Sequence, residues 1–211
     1  MKLTSDSFED GDVIPGRCAF CIKDPKTYLR LSQNLSPQLS WRGAPEGTRS
    51  FALVCVDPTA PATKPDYVNT PGKRIPARYP RGEFVHWLAA NIPATVTGLD
   101  EGACSKAVIP GGKRIPDGPD GCQQGLNDYT GWFAGDKDME GPYLGYDGPC
   151  PPFNDSIPHQ YVFTIYALDV ATLALPAQYG IGDLRRALQG RVLAQASLTG
   201  RYATNPDLRL K

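Results

Sequence analysis

The feature that most constrains this chain is its punctuation. Prolines and glycines, 21 and 22 of the 211 residues, cluster between short apolar runs rather than spreading through them. Their share is about a fifth, against an average of about 12%. Proline fixes φ and withholds an amide donor, and glycine favours turns, so long helices are disfavoured and the runs between clusters read as strands. The candidates are 49–57 (RSFALVCVD), 83–92 (EFVHWLAANI), 160–169 (QYVFTIYALD) and 192–203 (VLAQASLTGRYA). The first two are almost continuously apolar, which predicts burial on both sheet faces, whereas the last alternates as a half-buried strand does.

One helix is legible. Over 182–189 (GDLRRALQ), Leu184, Ala187 and Leu188 share a face, Asp183 stands near the positive end, and Gly190 is a natural stop. A second helix is expected in the loops, without a position. The phrase GKRIP appears at 72–76 and 112–116, but the flanks do not match, so no repeat architecture follows. Loops 58–82 and 110–152 are long. The second carries Tyr129, Trp132, Phe133, Tyr143 and Tyr146, enough aromatic surface to pack and stay ordered.

Length and 41% apolar content suit a single domain over 1–211. Zero formal net charge removes the broad electrostatic footprint that nucleic acid requires. No export signal is visible in the opening residues, and the longest apolar stretch, 162–177, is interrupted by Asp169 and closed by Pro176, so the reading is a soluble cytoplasmic protein without integral membrane association. For such a chain the six cysteines are expected as reduced, mostly buried thiols. Cys18 and Cys21 make one C-x-x-C, but no second pair completes a zinc quartet, and no metal or cofactor motif is found.

Both histidines stand at informative places. His86 lies within a strand, His159 opens another just after the stiff GPCPP segment at 148–152, and Asp57 ends the first strand with Pro58 behind it. Titratable groups at sheet ends beside rigid loops suggest a site, because burying them without use costs stability.

The ordered motifs DPTAP (57–61), HW (86–87), GPCPP (148–152) and HQYVFTIYALD (159–169), with NLSPQLSWRGAPEGTRSFAL (34–53) before them, resemble the phosphatidylethanolamine-binding proteins, in particular their bacterial and archaeal branch. The family includes the Raf kinase inhibitor protein, and the likeness runs from Met1 to about Tyr202. It implies a mainly β chain, an antiparallel β-sandwich with Greek-key connections and a few short helices. It also implies a small pocket for anionic or phosphorylated ligands, formed here by Asp57, His86, Pro149, His159 and Tyr161 with the backbone of Gly148. Further implied are a kinase or protease partner engaged through the pocket rim, a homodimer, and a cis peptide at Gly82-Glu83.

On this reading the imidazoles and a phenol donate hydrogen bonds to the anion, Asp57 orients His86, and the protein is a binder rather than an enzyme. Lys73, Arg74, Arg78 and Arg81 form a basic loop that suits an acidic partner, and Cys150 is the candidate nucleophile were the chain a hydrolase. Three departures stand out: Thr59 replaces the usual Asp of the DPDAP motif, residues 17–33 are an insertion carrying the C-x-x-C, and loop 112–146 is atypical.

Overall fold

The computed structural model describes residues 1–114 and 118–210, so the second GKRIP phrase falls partly outside the described residues. Among the described residues ten strands appear in chain order: β1 (Lys2–Thr4), β2 (Cys21–Asp24), β3 (Tyr28–Leu31), β4 (Leu39–Arg42), β5 (Ser50–Pro61), β6 (Arg81–Pro93), β7 (Gly98–Leu99), β8 (Gln123–Gln124), β9 (His159–Leu168) and β10 (Val192–Tyr202). Two short helices, α1 (Tyr129–Trp132) and α2 (Ile181–Leu188), accompany them. The four strands and the helix legible in the sequence are β5, β6, β9, β10 and α2, each shifted by a few residues at most. The unplaced second helix is α1.

The main sheet runs β10-β9-β5-β6-β8 and is antiparallel throughout, with β9 returning to the far side of β5 by a long Greek-key type connection. A smaller sheet, β1-β4-β7, faces it. Between the two lies the inner core, where Leu3, Leu39 and Trp41 meet Phe51, Leu53, Trp87, Phe163 and Ile165. On the opposite face, Ala52, Val54, Leu88 and Ala90 pack under Tyr179 and the apolar side of α2, Leu184 and Leu188. β5 and β6 are therefore covered twice, as their unbroken apolar runs require. In α2 the Asp183 carboxylate accepts from the Gly180 amide at 3.0 Å, and Gly190, at φ +70°, ends the segment in the left-handed region.

Two irregularities on β5 and β6 shape one end of the sheet. Cys55 pairs with Trp87 and the next residue, Val56, pairs with Val85, so His86 is the extra residue of a bulge. Plain alternation would leave His86 on the face of Leu88. Instead Val85 and Leu88 both pack in the outer cluster, while the His86 ring meets Tyr161 of the inner one at 4.9 Å. Bulges re-aim single side chains in this way next to functional sites. A second shift, between Asp57 and Ala60, lets Pro58 and Thr59 leave the ladder. The Gly82-Glu83 peptide is trans, contrary to the expectation from the resemblance.

Residues 17–33 form a short 3-10 turn and the β2-β3 hairpin, and the hairpin is tied down covalently. Cys21 is disulfide-bonded to Cys150, 129 positions away, with Cα atoms 5.0 Å apart. The reduced state assumed for all six thiols is thus overturned for this pair, while Cys18, Cys55, Cys104 and Cys122 are free and buried. The aromatic residues of the second long loop pack as its composition suggested: Phe20 and Tyr129 stack at 4.5 Å, with Phe133 and Tyr143 against them. Among the described residues no helix is long and apolar enough to cross a membrane.

Loop 110–152 is anchored by a buried ion pair. Lys113 Nζ lies 3.0 Å from Asp147 Oδ1, and the Asp147 oxygens also accept from Asn34 Nδ2 at 2.7 Å and Asn127 Nδ2 at 2.8 Å. Burial raises the Asp147 pKa, a pull the lysine and the two amides oppose. Replacing Lys113 by Met leaves that carboxylate buried without its counter-charge, and urea denaturation should show a loss of about 3 kcal/mol. The double replacement Lys113→Met, Asp147→Asn should recover part of it.

Candidate functional site

At the bulged sheet end β5, β6 and β9 converge with the 148–153 segment around a cavity of about 40 Å³. At ~10–15 Å³ per water-sized group, that is room for on the order of three such groups, the scale of a small oxyanion or carboxylate. Asp57, His86, His159 and Tyr161 line it, joined by Ala60, Pro61, Phe84, Tyr129, Trp132, Cys150, Pro151 and Pro152. The four side chains singled out from the sequence thus meet at one place. Gly148 and Pro149 stand behind the wall: the Gly148 amide donates to Asn34 Oδ1 and its carbonyl accepts from Tyr129 Oη, both at 2.8 Å. The Pro149 carbonyl accepts from the amides of Phe20 and Cys21. A Cβ on Gly148 would collide with the Cys18 carbonyl, which explains glycine there.

The partner of Asp57 differs from expectation. Its Oδ2 lies 2.6 Å from His159 Nδ1, while His86 Nδ1 lies 2.8 Å from the Asp147 carbonyl. His159 Nε2 is 3.2 Å from Asp155 Oδ2, and Asp155 is gripped in turn by both terminal nitrogens of Arg81, at 2.6 and 2.9 Å. Arg81 is therefore not a free member of the basic loop, whereas Lys73, Arg74 and Arg78 are exposed. Thr59 also has a role: its amide and hydroxyl donate to Asp57 Oδ1 at 2.7 and 2.5 Å, and its hydroxyl accepts from the Gln160 amide. A neutral donor at this position stabilises the Asp57 carboxylate that a second aspartate would repel.

The two imidazoles are driven apart in charge. Burial alone would lower the His159 pKa, but hydrogen bonds to Asp155 and Asp57 outweigh it and raise it to about 9. His86 is lowered to about 4, chiefly by burial, against the weaker pull of Asp57. At neutral pH His159 is an imidazolium with both N–H groups committed to carboxylates, so it has neither a proton acceptor for general-base work nor a free donor for a ligand. A carbonyl can only accept, so neutral His86 carries its proton on Nδ1 and keeps Nε2 as an acceptor. Tyr161 is a buried side chain on the cavity wall, and its hydroxyl has no hydrogen-bond partner among the described residues.

Asp155, Tyr129, Phe84 and Trp132 were missed from the sequence. Asp155 sits in a run of turn residues, NDS, and its one signal was its place four residues before His159. Cys150 is removed as a nucleophile, since its sulfur is in the disulfide. Among the described residues no group of His, Cys, Asp and Glu is arranged to hold a metal ion.

Sheet order, bulged end and walled cavity define a mainly β protein with a small pocket at one end of its main sheet. The chain belongs to the phosphatidylethanolamine-binding protein family, whose sequence model matches residues 4–203. A UPF0098 protein of Methanothermobacter thermautotrophicus is 34% identical over 202 residues, covering 96% of this chain and 98% of the relative. One from Aquifex aeolicus is 30% identical, covering 96% and 88%. Among solved structures, Escherichia coli YbcL, described as a member of the mammalian PEBP family, superposes with a TM-score of 0.68 at 28% identity, over 96% of this chain and 97% of that one. The putative PEBP homolog CT736 of Chlamydia trachomatis gives 0.62 at 28%, over 95% of each.

The opposed histidines dictate a two-sided pH dependence of stability. His159, raised from 6.5 to about 9, stabilises fully below pH 6.5, and its contribution is lost as pH rises toward 9. His86, lowered from 6.5 to about 4, contributes fully above pH 6.5 and loses that contribution as pH falls toward 4. Unfolding free energy measured in urea across this range should peak near pH 6.5. The alkaline decline should vanish in His159→Gln; an unchanged decline in that variant would remove His159 as its source.

Proposed function

We propose that this protein is a small-anion binder whose cavity receives a phosphate monoester group or free phosphate in its protonated, monoanionic form. The observation that carries this reading is the pairing, at one small cavity, of an uncommitted phenol donor on Tyr161 with neutral His86 as acceptor. Around them two carboxylates, Asp57 and Asp155, are matched by two cations, His159 and Arg81, so the floor carries no net charge to repel an anion. The monoanion donates its acidic P–OH to His86 Nε2 and accepts a hydrogen bond from the Tyr161 hydroxyl on another oxygen. The donor set differs from the pair of donating imidazoles suggested by the sequence, because His159 has no proton to spare. Charge-assisted hydrogen bonds of this kind contribute about 1.5–3 kcal/mol each, which suits weak, broad anion affinity.

Binding rather than catalysis is supported by the same geometry: His159 is saturated, Cys150 is covalently paired, and the wall is held from behind at several points. A preorganised wall loses little entropy when a ligand arrives.

Calorimetric titration with inorganic phosphate and with phosphoethanolamine tests the reading. Above the second pKa of a phosphate monoester, about 6, phosphoethanolamine loses the one P–OH that His86 needs, so its affinity should fall about tenfold per pH unit, whereas inorganic phosphate keeps a P–OH as the dianion and should fall less steeply. Tyr161→Phe should weaken binding at acid pH by about tenfold or more. Affinity independent of pH, or unchanged in Tyr161→Phe, would refute this assignment.

A further inference from the structure

The disulfide is not remote from the cavity. Cys150 is part of the cavity wall and half-buried, whereas its partner Cys21, the first residue of β2, is only 2% exposed. Of the two sulfur-bearing residues, then, one borders the ligand space and the other is enclosed by protein. Thiol–disulfide exchange needs a thiolate to reach one sulfur in line with the bond, and access decides which sulfur is attacked. The neighbouring thiol of Cys18 does not compete: burial pushes its pKa up to about 12, so it carries almost no thiolate at neutral pH.

We infer that Cys150 is a thiolation site entered through the ligand cavity, specific for small thiols. The incoming thiolate bonds to the Cys150 sulfur, the Cys21–Cys150 bond breaks, and its electron pair leaves on the Cys21 sulfur. The product is a mixed disulfide whose organic group occupies the cavity. Return is equally direct: the Cys21 thiolate attacks the Cys150 sulfur, the small thiolate leaves, and the crosslink re-forms. The segment does not drift away meanwhile, because the Pro149 carbonyl still accepts from the Phe20 and Cys21 amides and the Pro151 carbonyl from Thr204 Oγ1. The redox state of this pair and occupancy of the pocket are thereby coupled: a filled pocket shields the disulfide, and a thiolated Cys150 plugs the pocket. Only the shielding by phosphate rests on the anion-binding reading given above; the route of entry does not.

The experiment uses the intact oxidised protein and follows loss of the Cys21–Cys150 bond by alkylation and peptide mass mapping. Second-order rates are normalised to thiolate concentration, for 2-mercaptoethanol and for the tripeptide glutathione. Entry through a cavity this small should make the smaller thiol faster by about tenfold or more, since access multiplies intrinsic reactivity. Inorganic phosphate at ten times its calorimetric dissociation constant should slow the 2-mercaptoethanol reaction about tenfold, by depletion of the empty pocket. Equal rates for the two thiols would overturn the inference, as would bound phosphate that gives no protection. If calorimetry shows no phosphate binding, the anion reading fails by itself and the comparison of thiol sizes alone decides the route.

Discussion

His159, held between two carboxylates, is the constraint on which the site depends. Its Nδ1 is fixed by Asp57, where β5 leaves regular pairing, its Nε2 by Asp155 in the preceding loop, and Asp155 is clamped by Arg81 at the start of β6. One buried ring thus ties together the ends of three strands, at the place where β5 and β6 both depart from regular pairing. The charges cancel within the cluster, which is how four ionised groups tolerate burial of this degree. The same saturation withdraws His159 from ligand chemistry and passes that chemistry to His86 and Tyr161.

A second layer makes the first one rigid. Asp147 offers its backbone carbonyl to His86 and its side chain to Lys113, Asn34 and Asn127, so the tautomer of the cavity imidazole is set by a residue that is itself immobilised. Tyr129 grips the Gly148 carbonyl, and the disulfide pins Cys150 to the hairpin. The stiff GPCPP segment is therefore a wall supported from outside as well as by its own prolines. A ligand meets a surface whose ordering has already been completed in folding.

What the sequence disclosed follows from what periodicity and chain stiffness can encode. β5 and β6 were legible because burial on both faces leaves no polar positions, and α2 because Leu184, Ala187 and Leu188 keep a helical spacing. Asp57, His86 and His159 stood out because strand ends beside prolines are recognisable, and Tyr161 joined them only through the resemblance to the family. The pairing of Asp57 with His159 was not legible, since it joins residues 102 positions apart on different strands, and the bulge that turns His86 inward leaves no mark in a strand pattern. Asp155 was hidden among turn residues, and the Lys113–Asp147 pair joins two points of an aperiodic loop. The crosslink of Cys21 to Cys150 spans 129 positions, and nothing in the spacing of six cysteines selects it.

The chemistry of the site turns on the opposite protonation of two buried imidazoles, and nitrogen-15 chemical shifts of the histidine rings near neutral pH read it directly. Both nitrogens of His159 should appear protonated, while His86 should show a protonated Nδ1 and a bare Nε2. A neutral His159, or a proton on His86 Nε2 in the ligand-free protein, would contradict it.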